Sequence, residues 1–551
     1  MMWFTRIMKY AIIQKKIKEK NTKMMKITTP EDWLKNKWRK ISNISKTAFF
    51  SAIIIGLMTH LYQFTNKLYN YDELAITPAG YGIGAEAGRW FLKLFGDYTA
   101  RNFGNYSLPL LNGLMSVFLL ALSAAFVVDI FKIKSKISAM LIGGLMVAFT
   151  PVVCMFFFMY AAPFYSLAIF FSVLAAYLVI RYTRNIWTHI LAMILIMCSL
   201  GTYQAYFSNT VCILMMQLIV ECAFTGKEKN IKSIFLDGIR YLLVLIISLV
   251  GYLVLHKYFV AHWGVQMVNY QGLDSIGKIT VAELVDAVKR CYMDIKNLCV
   301  GHVMYLAPTH LFRRAFGVMY AVLGASIITL FIWKKREWGK KFLLLFGLGI
   351  FPIALFLVYL MSPKGWAYTL MGYSVVFLPI LVVIWIEKLA LTIPVNEMIM
   401  KGIQWITVLV GMCMVLLYVW YGNGCYMSLD YTKYHDLAYY ETMVTQIKSL
   451  DGYTDELPVA FVGNEISDQT NNMGSMLGGT FGLDGKIESN INAYSKTSIM
   501  TKYLGFAPQF CGYDETANLM KLEEVKDMPC YPDSGSIQII EDIIVIKLSE
   551  Y

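Results

Sequence analysis

Charged side chains are scarce in this chain, and a group of them lies just after its first long apolar segment. The stretch LYNYDELAITPAGYGIGAEAGRWFLKLFGD holds Asp72, Glu73, Glu86, Arg89 and Asp97. A carboxylate at the mouth of a helical bundle is partly desolvated, which raises its pKa and suits it to accept a proton from a hydroxyl group. A solvated loop with helix-capping acids is the alternative interpretation. Asp72 and Glu73 are therefore candidate catalytic bases.

Arg89 is the candidate for binding an anion, with Glu86 as a neighbouring candidate for substrate binding. It precedes Trp90, in a segment that would lie along a membrane interface. A guanidinium group there can hold a phosphate through two parallel hydrogen bonds and stays charged at any ordinary pH. An interfacial anchor is the alternative. Lys364, in a very short turn between two later apolar segments, is a second candidate for the phosphate.

A polar and aromatic turn is the candidate for binding a sugar. The sequence GTYQAYFSN, residues 201–209, contains Tyr203, Gln204 and Tyr206 between two apolar segments. The amide and hydroxyl groups can hydrogen-bond a sugar, and the rings can cover its apolar face. An aromatic belt at the membrane surface is the alternative for the tyrosines, but it does not account for Gln204.

The composition indicates how these residues are positioned. Apolar residues make up 57% of the chain and charged residues 16%, whereas soluble domains have about 25% charged residues. An ordinary soluble enzyme and a disordered chain are both excluded. Apolar runs of roughly 17 to 25 residues recur, each long enough to cross about 30 Å of hydrocarbon as a helix. We predict eleven transmembrane helices, at 48–66, 107–129, 138–159, 163–181, 187–203, 205–224, 234–256, 315–333, 342–361, 367–386 and 402–421.

The charges predict the orientation of this bundle. Lys and Arg collect in alternate loops, such as FKIKSK and WKKREWGKK, which is typical of the cytoplasmic side. Residues 422–551 hold 19 Asp and Glu against 8 Lys and Arg, so the net charge of +12 leaves +23 for the rest of the chain. Because the charge is sorted by side of the membrane, a nucleic-acid partner is not indicated. We expect the N-terminus inside and the C-terminus outside.

This predicted topology divides the chain into three parts. Residues 1–47 are a basic cytoplasmic segment, and residues 48–421 are the transmembrane bundle, with outer loops at 67–106 and 257–314. Residues 422–551 form a small extracytoplasmic α/β domain.

Within the tail domain the patterns predict a helix over LAYYETMVTQIKSL and a buried strand over LPVAFVG. A hairpin is predicted over SIQIIEDIIVIKL, turning at Glu541 and Asp542. The sequence leaves undecided whether Cys511 and Cys530 form a disulfide, which the outer face would permit because it allows oxidation. A zinc site is not indicated, since there is no CxxC or comparable ligand spacing.

The order of these motifs resembles the glucosyltransferase II family, which modifies O-antigen and related bacterial surface polysaccharides. The motifs are YNYDEL after the first helix, GRWF some seventeen residues on, TYQAY at the later turn, and the closing MPCYPDSGSIQIIEDIIVIKLS. The resemblance implies an all-α polytopic membrane bundle of the GT-C type with a catalytic acid in its first outer loop. That acid falls on Asp72, although the family often has two aspartates where this chain has Asp72-Glu73. The arginine of the GRW motif falls on Arg89, and Lys364 matches no family motif.

The resemblance also implies the substrates and the location. The donor would be a polyprenyl-phosphate sugar, the acceptor a hydroxyl group of a polysaccharide, and the site the outer face of the bacterial cytoplasmic membrane. Nucleotide sugars are kept in the cytoplasm, so a site outside needs a donor that crosses the bilayer as a lipid. No cofactor is implied beyond this lipid-linked donor. A divalent metal is not indicated either, because Asp72 and Glu73 alone are a thin ligand set.

Two other classes of protein stay open at this stage. A transporter or a flippase of a lipid-linked saccharide would also be polytopic, but such proteins usually carry inverted repeats and ionisable residues near the middle of the membrane. Here the centres of the apolar runs are almost free of charge. A membrane scaffold whose tail domain binds a partner is the third alternative.

Overall fold

A computed structural model describes the protein at residues 29–75, 84–104, 106–226, 229–266, 280–304, 306–333, 337–363, 365, 367–392, 396–463 and 495–551. The chain is mostly helical, with one small sheet near its C-terminus. The α-helices, in chain order α1 to α20, are Pro30–Lys40, Asn43–Asn66, Tyr71–Ala75, Trp90–Phe103, Pro109–Ile130, Lys136–Ala148, Thr150–Met155, Ala162–Arg181, Ile186–Thr202, Phe207–Phe224, Ile231–Trp263, Val281–Val300, His310–Trp333, Trp338–Leu355, Val358–Met361, Phe377–Thr392, Glu397–Lys448, Lys496–Tyr503, Tyr513–Leu519 and Glu523–Asp527. Short 3₁₀ helices lie at Ala85–Ala87, Gln204–Tyr206 and Thr369–Val376.

Ten helical segments in the described part of the chain are long and apolar enough to cross a membrane. They are Asn43–Asn66, Pro109–Ile130, Lys136–Met155, Ala162–Arg181, Gln204–Phe224, Ile231–Trp263, His310–Ile332, Trp338–Leu355, Thr369–Thr392 and Glu397–Lys448. The eleventh predicted segment, 187–203, is the shorter apolar helix α9. The chain is therefore a multi-pass membrane protein.

Short loops place the ends of these helices at two opposite ends of the bundle, since consecutive helices joined in this way run antiparallel. The site end is formed by residues 67–75, 156–161, 203–206 and 356–363. The basic end is formed by residues 131–135, 182–185, 225–226 and 387–392. The candidate residues of the sequence analysis that the structure describes belong to the site end or to the segment 84–104 that packs on it.

Small residues let α2 and α6 pack closely. Ala48 and Ala52 on α2 are fully buried, and a Cβ atom added to Gly143 would lie 2.5 Å from the Ala48 carbonyl oxygen. Close approach of this kind is typical of helices packed in a membrane, where dispersion replaces the hydrophobic effect as the driving force.

A buried histidine ties the same region to the long helix α17. The Nδ1 atom of His60 lies 2.7 Å from the Tyr426 hydroxyl, and its Nε2 atom lies 2.8 Å from the Val147 carbonyl oxygen. Both ring nitrogens thus have partners, which a fully buried imidazole requires. The contacts join α2, the end of α6 and α17.

Helix α17 continues from the bundle into the tail domain without a break. Its 52 residues make it about 78 Å long at 1.5 Å per residue, well beyond the thickness of a hydrocarbon core. The predicted helix over 437–450 is its last part.

The tail sheet has the order β1-β3-β2, with β1 at Val459–Val462, β2 at Ile537–Ile540 and β3 at Ile543–Lys547. β1 runs parallel to β3, and β2 runs antiparallel to it. The predicted strand and hairpin are present, and Glu541 and Asp542 both have positive φ, as a two-residue hairpin turn requires. Cys511 and Cys530 are free thiols.

Gly143 provides a test of the α2–α6 packing. We expect Gly143→Ala to lower the free energy of unfolding by about 1–3 kcal/mol, because the new methyl group meets backbone rather than a movable side chain. Thermal unfolding in detergent measures the change. Gly324→Ala is the matched control, since nothing lies within 4 Å of the added Cβ atom there. Equal melting temperatures for the two variants would contradict the close packing.

Candidate active site at one end of the bundle

The acidic pair lies on a short helix, α3, that follows the first long one. The Asn70 side chain accepts a hydrogen bond from the Glu73 backbone N–H at 2.9 Å, which caps the start of this helix. Leu74 on the same helix is buried in the core of the tail domain. Capping from one side and burial on the other thus fix α3, and with it the positions of Asp72 and Glu73.

Glu73 contacts the turn between α7 and α8. Its Oε2 atom accepts a hydrogen bond from the Tyr160 backbone N–H at 3.2 Å. Burial raises the pKa of the Glu73 carboxyl group from 4.5 to about 7, although Ser107, Tyr160, Lys502 and Lys67 oppose the shift. A carboxyl group with a pKa near the working pH is suited to general base catalysis.

Tyr160 connects the acidic pair with the arginine. Burial raises the pKa of its phenol well above the usual 10, the charges of Asp72 and Glu73 raise it further, and the charge of Arg89 lowers it. All three charged residues are therefore close enough to act on one hydroxyl group. Asp72, Glu73 and Arg89, predicted from separate motifs, thus all act electrostatically on Tyr160 at the site end.

The backbone before Arg89 is held by Gln204 and Tyr252. The amide nitrogen of Gln204 donates to the Ala87 carbonyl at 2.7 Å, and the Tyr252 hydroxyl donates to the Gly88 carbonyl at 3.1 Å. Gly88 has φ of +78°, and an added Cβ atom would lie 2.5 Å from both clamping side chains. Glycine is thus required on both conformational and steric grounds.

The side chain of Arg89 lies against the tyrosine turn. Its Cζ atom is 5.0 Å from the centre of the Tyr203 ring, and the Tyr203 and Tyr206 rings are 5.1 Å apart. A guanidinium group stacked on an aromatic face keeps a fixed orientation. Gln204, predicted to bind a sugar, also holds the backbone that positions Arg89.

The remaining predicted residues take other positions. Glu86 accepts a hydrogen bond from the Gly84 backbone N–H at 3.0 Å and so braces the turn before Arg89. Asp97 pairs with Lys93 at 3.0 Å along α4. Lys364 lies outside the described residues. In the described part of the chain, no group of three or more His, Cys, Asp or Glu is placed to hold a metal ion.

The tail domain adds a charge that the sequence analysis did not identify. Lys502 on α18 donates to the Leu74 carbonyl oxygen. Burial lowers the pKa of Lys502, and the charge of Glu73 partly restores it. The neighbouring Tyr503 has its pKa raised to about 12 by burial and by Glu73. No pattern within 495–505 marks these residues, because their role depends on contact with a helix more than 400 positions earlier.

The fold and this site define a multi-pass membrane protein with ionisable groups gathered at one end of its bundle. The family model for glucosyl transferase GtrII matches residues 61–379, more than half of the chain, and the protein belongs to this family. It is therefore a glycosyltransferase, and its family acts on surface polysaccharide. Neither the curated proteins nor the solved structures gave a match.

The raised pKa of Glu73 has a consequence for stability. Between about pH 4.5 and about pH 7 the folded state binds more protons at this group than the unfolded state, so its contribution to stability falls as the pH rises through that range. Gln cannot ionise and escapes this loss. We expect Glu73→Gln to be more stable than the unsubstituted protein by about 1–2 kcal/mol at pH 8 and not at pH 4.

Thermal unfolding of the two proteins at both pH values measures this difference. The same substitution at Glu441, an exposed residue of α17, is the control. A Glu73→Gln variant that is destabilised at pH 8 but not at pH 4 would show that the carboxylate is stabilising in its charged form.

Proposed function

We propose that the protein is an inverting glycosyltransferase of the GT-C type that moves a sugar, glucosyl by the family name, from a polyprenyl-phosphate donor to a hydroxyl group of a surface polysaccharide. The reaction would take place at the outer face of the bacterial cytoplasmic membrane, where the site end would lie. The observation that carries the proposal is the hydrogen bond of Glu73 with the Tyr160 backbone, beside which Asp72 and Arg89 act electrostatically on the same tyrosine.

The charge distribution supports this orientation. Loops at the basic end carry Lys132, Lys134, Arg181 and Arg184, as expected on the cytoplasmic side. The tail domain, which is acidic, lies against the site end through Leu74. A donor with a polyprenyl chain would lie in the hydrocarbon beside the helices, with its phosphate at the level of Arg89.

In the proposed reaction the carboxylates and the guanidinium group have different roles. One carboxylate of the pair Asp72 and Glu73 takes the proton of the acceptor hydroxyl as its oxygen attacks the anomeric carbon. The bond from that carbon to the phosphate oxygen breaks on the opposite face, so the configuration inverts. Arg89 stabilises the negative charge that develops on the departing phosphate. The pKa near 7 makes Glu73 the member of the pair matched to neutral pH.

The first test removes each carboxylate in turn. We expect at least one of Asp72→Asn and Glu73→Gln to lower kcat by about 10²-fold or more, since general base catalysis contributes about 10²- to 10⁴-fold. We also expect kcat/KM of the unsubstituted enzyme to rise with pH through about 7, and this inflection to vanish in the residual activity of Glu73→Gln.

The assay is transfer from a polyprenyl-phosphate sugar by purified protein in lipid nanodiscs. Asp97→Asn is the control, because Asp97 is engaged by Lys93. Near-normal transfer by both variants would refute the assignment. Movement of lipid-linked sugar across vesicles without any glycosidic product would establish the flippase alternative.

The second test concerns the phosphate. We expect Arg89→Ala to lower kcat/KM for the donor by about 10²-fold, and Arg89→Lys to recover only part of it, because an ammonium group cannot form the paired hydrogen bonds. Arg101→Ala, on the exposed last turn of α4, is the control. An Arg89→Ala variant with an unchanged donor KM and kcat would show that Arg89 is only an anchor.

A further inference from the structure

A cavity lies at the site end of the bundle and is not used by the proposed reaction. Its volume is about 520 Å³, within the range of ligand pockets. Four of its lining residues are polar or aromatic side chains able to bind a ligand: Arg290, Asp294, His302 and Tyr359. Arg290 and Asp294 are on α12, which precedes α13, and Tyr359 is on α15.

The polar groups of this cavity hold one another in place. The Arg290 guanidinium donates to the Pro363 carbonyl at 3.0 Å and lies 4.2 Å from the centre of the Tyr359 ring. The Tyr359 hydroxyl donates to the Asp294 carboxylate, which also accepts from the Asn297 amide at 3.2 Å. These contacts leave further N–H groups on Arg290 and further lone pairs on Asp294.

The backbone at the edge of the cavity is strained. Met304 lines the cavity and has φ of +41°, a conformation that costs free energy for a residue with a side chain. Such strain is concentrated at functional sites, because the surrounding structure must maintain it.

A row of tyrosines separates this cavity from Arg89. Met304 packs against Gly372: its sulfur lies 3.4 Å from where an added Cβ atom of Gly372 would be. The ring of the next residue, Tyr373, lies 6.3 Å from the ring of Tyr206. Tyr206 contacts Tyr203, on which Arg89 lies. The cavity and Arg89 thus lie at the same end of the bundle and are linked through packed rings.

The charges of the cavity favour a neutral ligand. Arg290 and Asp294 are of opposite sign, so an anion would gain from one and lose to the other, and a cation the reverse. A ligand with many hydroxyl groups can donate to the carboxylate and accept from the guanidinium group at once. The two ring nitrogens of His302 add further hydrogen-bonding groups.

We infer that this cavity binds a saccharide unit of the acceptor polysaccharide and so presents the acceptor hydroxyl to the neighbouring carboxylates. The inference rests on the proposed function, since a transferase needs a second substrate site beside that of the donor. Arg290, Asp294 and Tyr359 act in binding and not in the chemical step.

The test measures binding and transfer separately in the full-length protein in nanodiscs. The probe is surface polysaccharide isolated from cells in which the gene for this protein has been deleted. We expect Asp294→Asn and Ala367→Trp to weaken binding of this polysaccharide, measured without donor, by about 10-fold or more. Ala367 lines the cavity, so its replacement by Trp fills the space and leaves the polar groups in place.

In the transfer assay the same variants should raise KM for the acceptor by a similar factor and leave KM for the donor unchanged. Lys289→Ala is the control, because Lys289 is on the same helix but pairs with Asp286 on the exposed surface. Whichever of Asp72→Asn and Glu73→Gln loses transfer should bind the polysaccharide normally.

Two outcomes separate the two proposals. Binding that depends on Asp294 and Ala367, with no transfer by any form of the protein, would support the cavity and refute the proposed reaction. Transfer with a normal acceptor KM in variants that elute and unfold like the unsubstituted protein would refute the cavity and leave the reaction standing. Failure of the unsubstituted protein to bind the polysaccharide would also overturn the inference.

Discussion

Ionisable side chains are costly within the hydrocarbon of a membrane, and this constraint organises the whole molecule. A carboxylate can be kept reactive only where the bundle meets water, yet full exposure would leave its pKa at the ordinary value. Glu73 lies between these limits: it sits on a short helix beyond the first long one, and burial raises its pKa to about 7. The ends of the long apolar helices form a rigid frame at the site end. The environment of the charged groups depends on the segments that pack over this frame.

The segments that pack around the charged groups of the site end are far apart in the sequence. Tyr160 approaches Glu73 from the turn after α7, and Gln204 holds the backbone before Arg89 from the turn after α9. The tail domain packs on α3 through Leu74, whose carbonyl oxygen accepts a hydrogen bond from Lys502. The site end is therefore assembled by contacts between elements that lie far apart in the chain.

The sequence predicted the parts of this arrangement that depend on local pattern. Apolar length gave the helices, and alternation with a two-residue turn gave the hairpin at Glu541 and Asp542, because each pattern reports on its own segment. Asp72 and Arg89 stood out since charge is rare beside apolar runs. Lys502 could not be found in this way, because an exposed and a buried lysine look alike until a distant helix covers one of them. The hydrogen bond of Gln204 could not be predicted for the same reason: its partner is a backbone carbonyl 117 positions away.

The contact of Lys502 with the Leu74 carbonyl spans 428 positions, and this separation bears on how the protein is made. Chains emerge from the ribosome from the N-terminus onward, so α3 would be synthesised long before the residues of the tail domain that contact it. The hydrogen bond from Lys502 to the Leu74 carbonyl would form only once the C-terminal part of the chain had been made. Assembly of the site end would therefore finish with the folding of the tail domain.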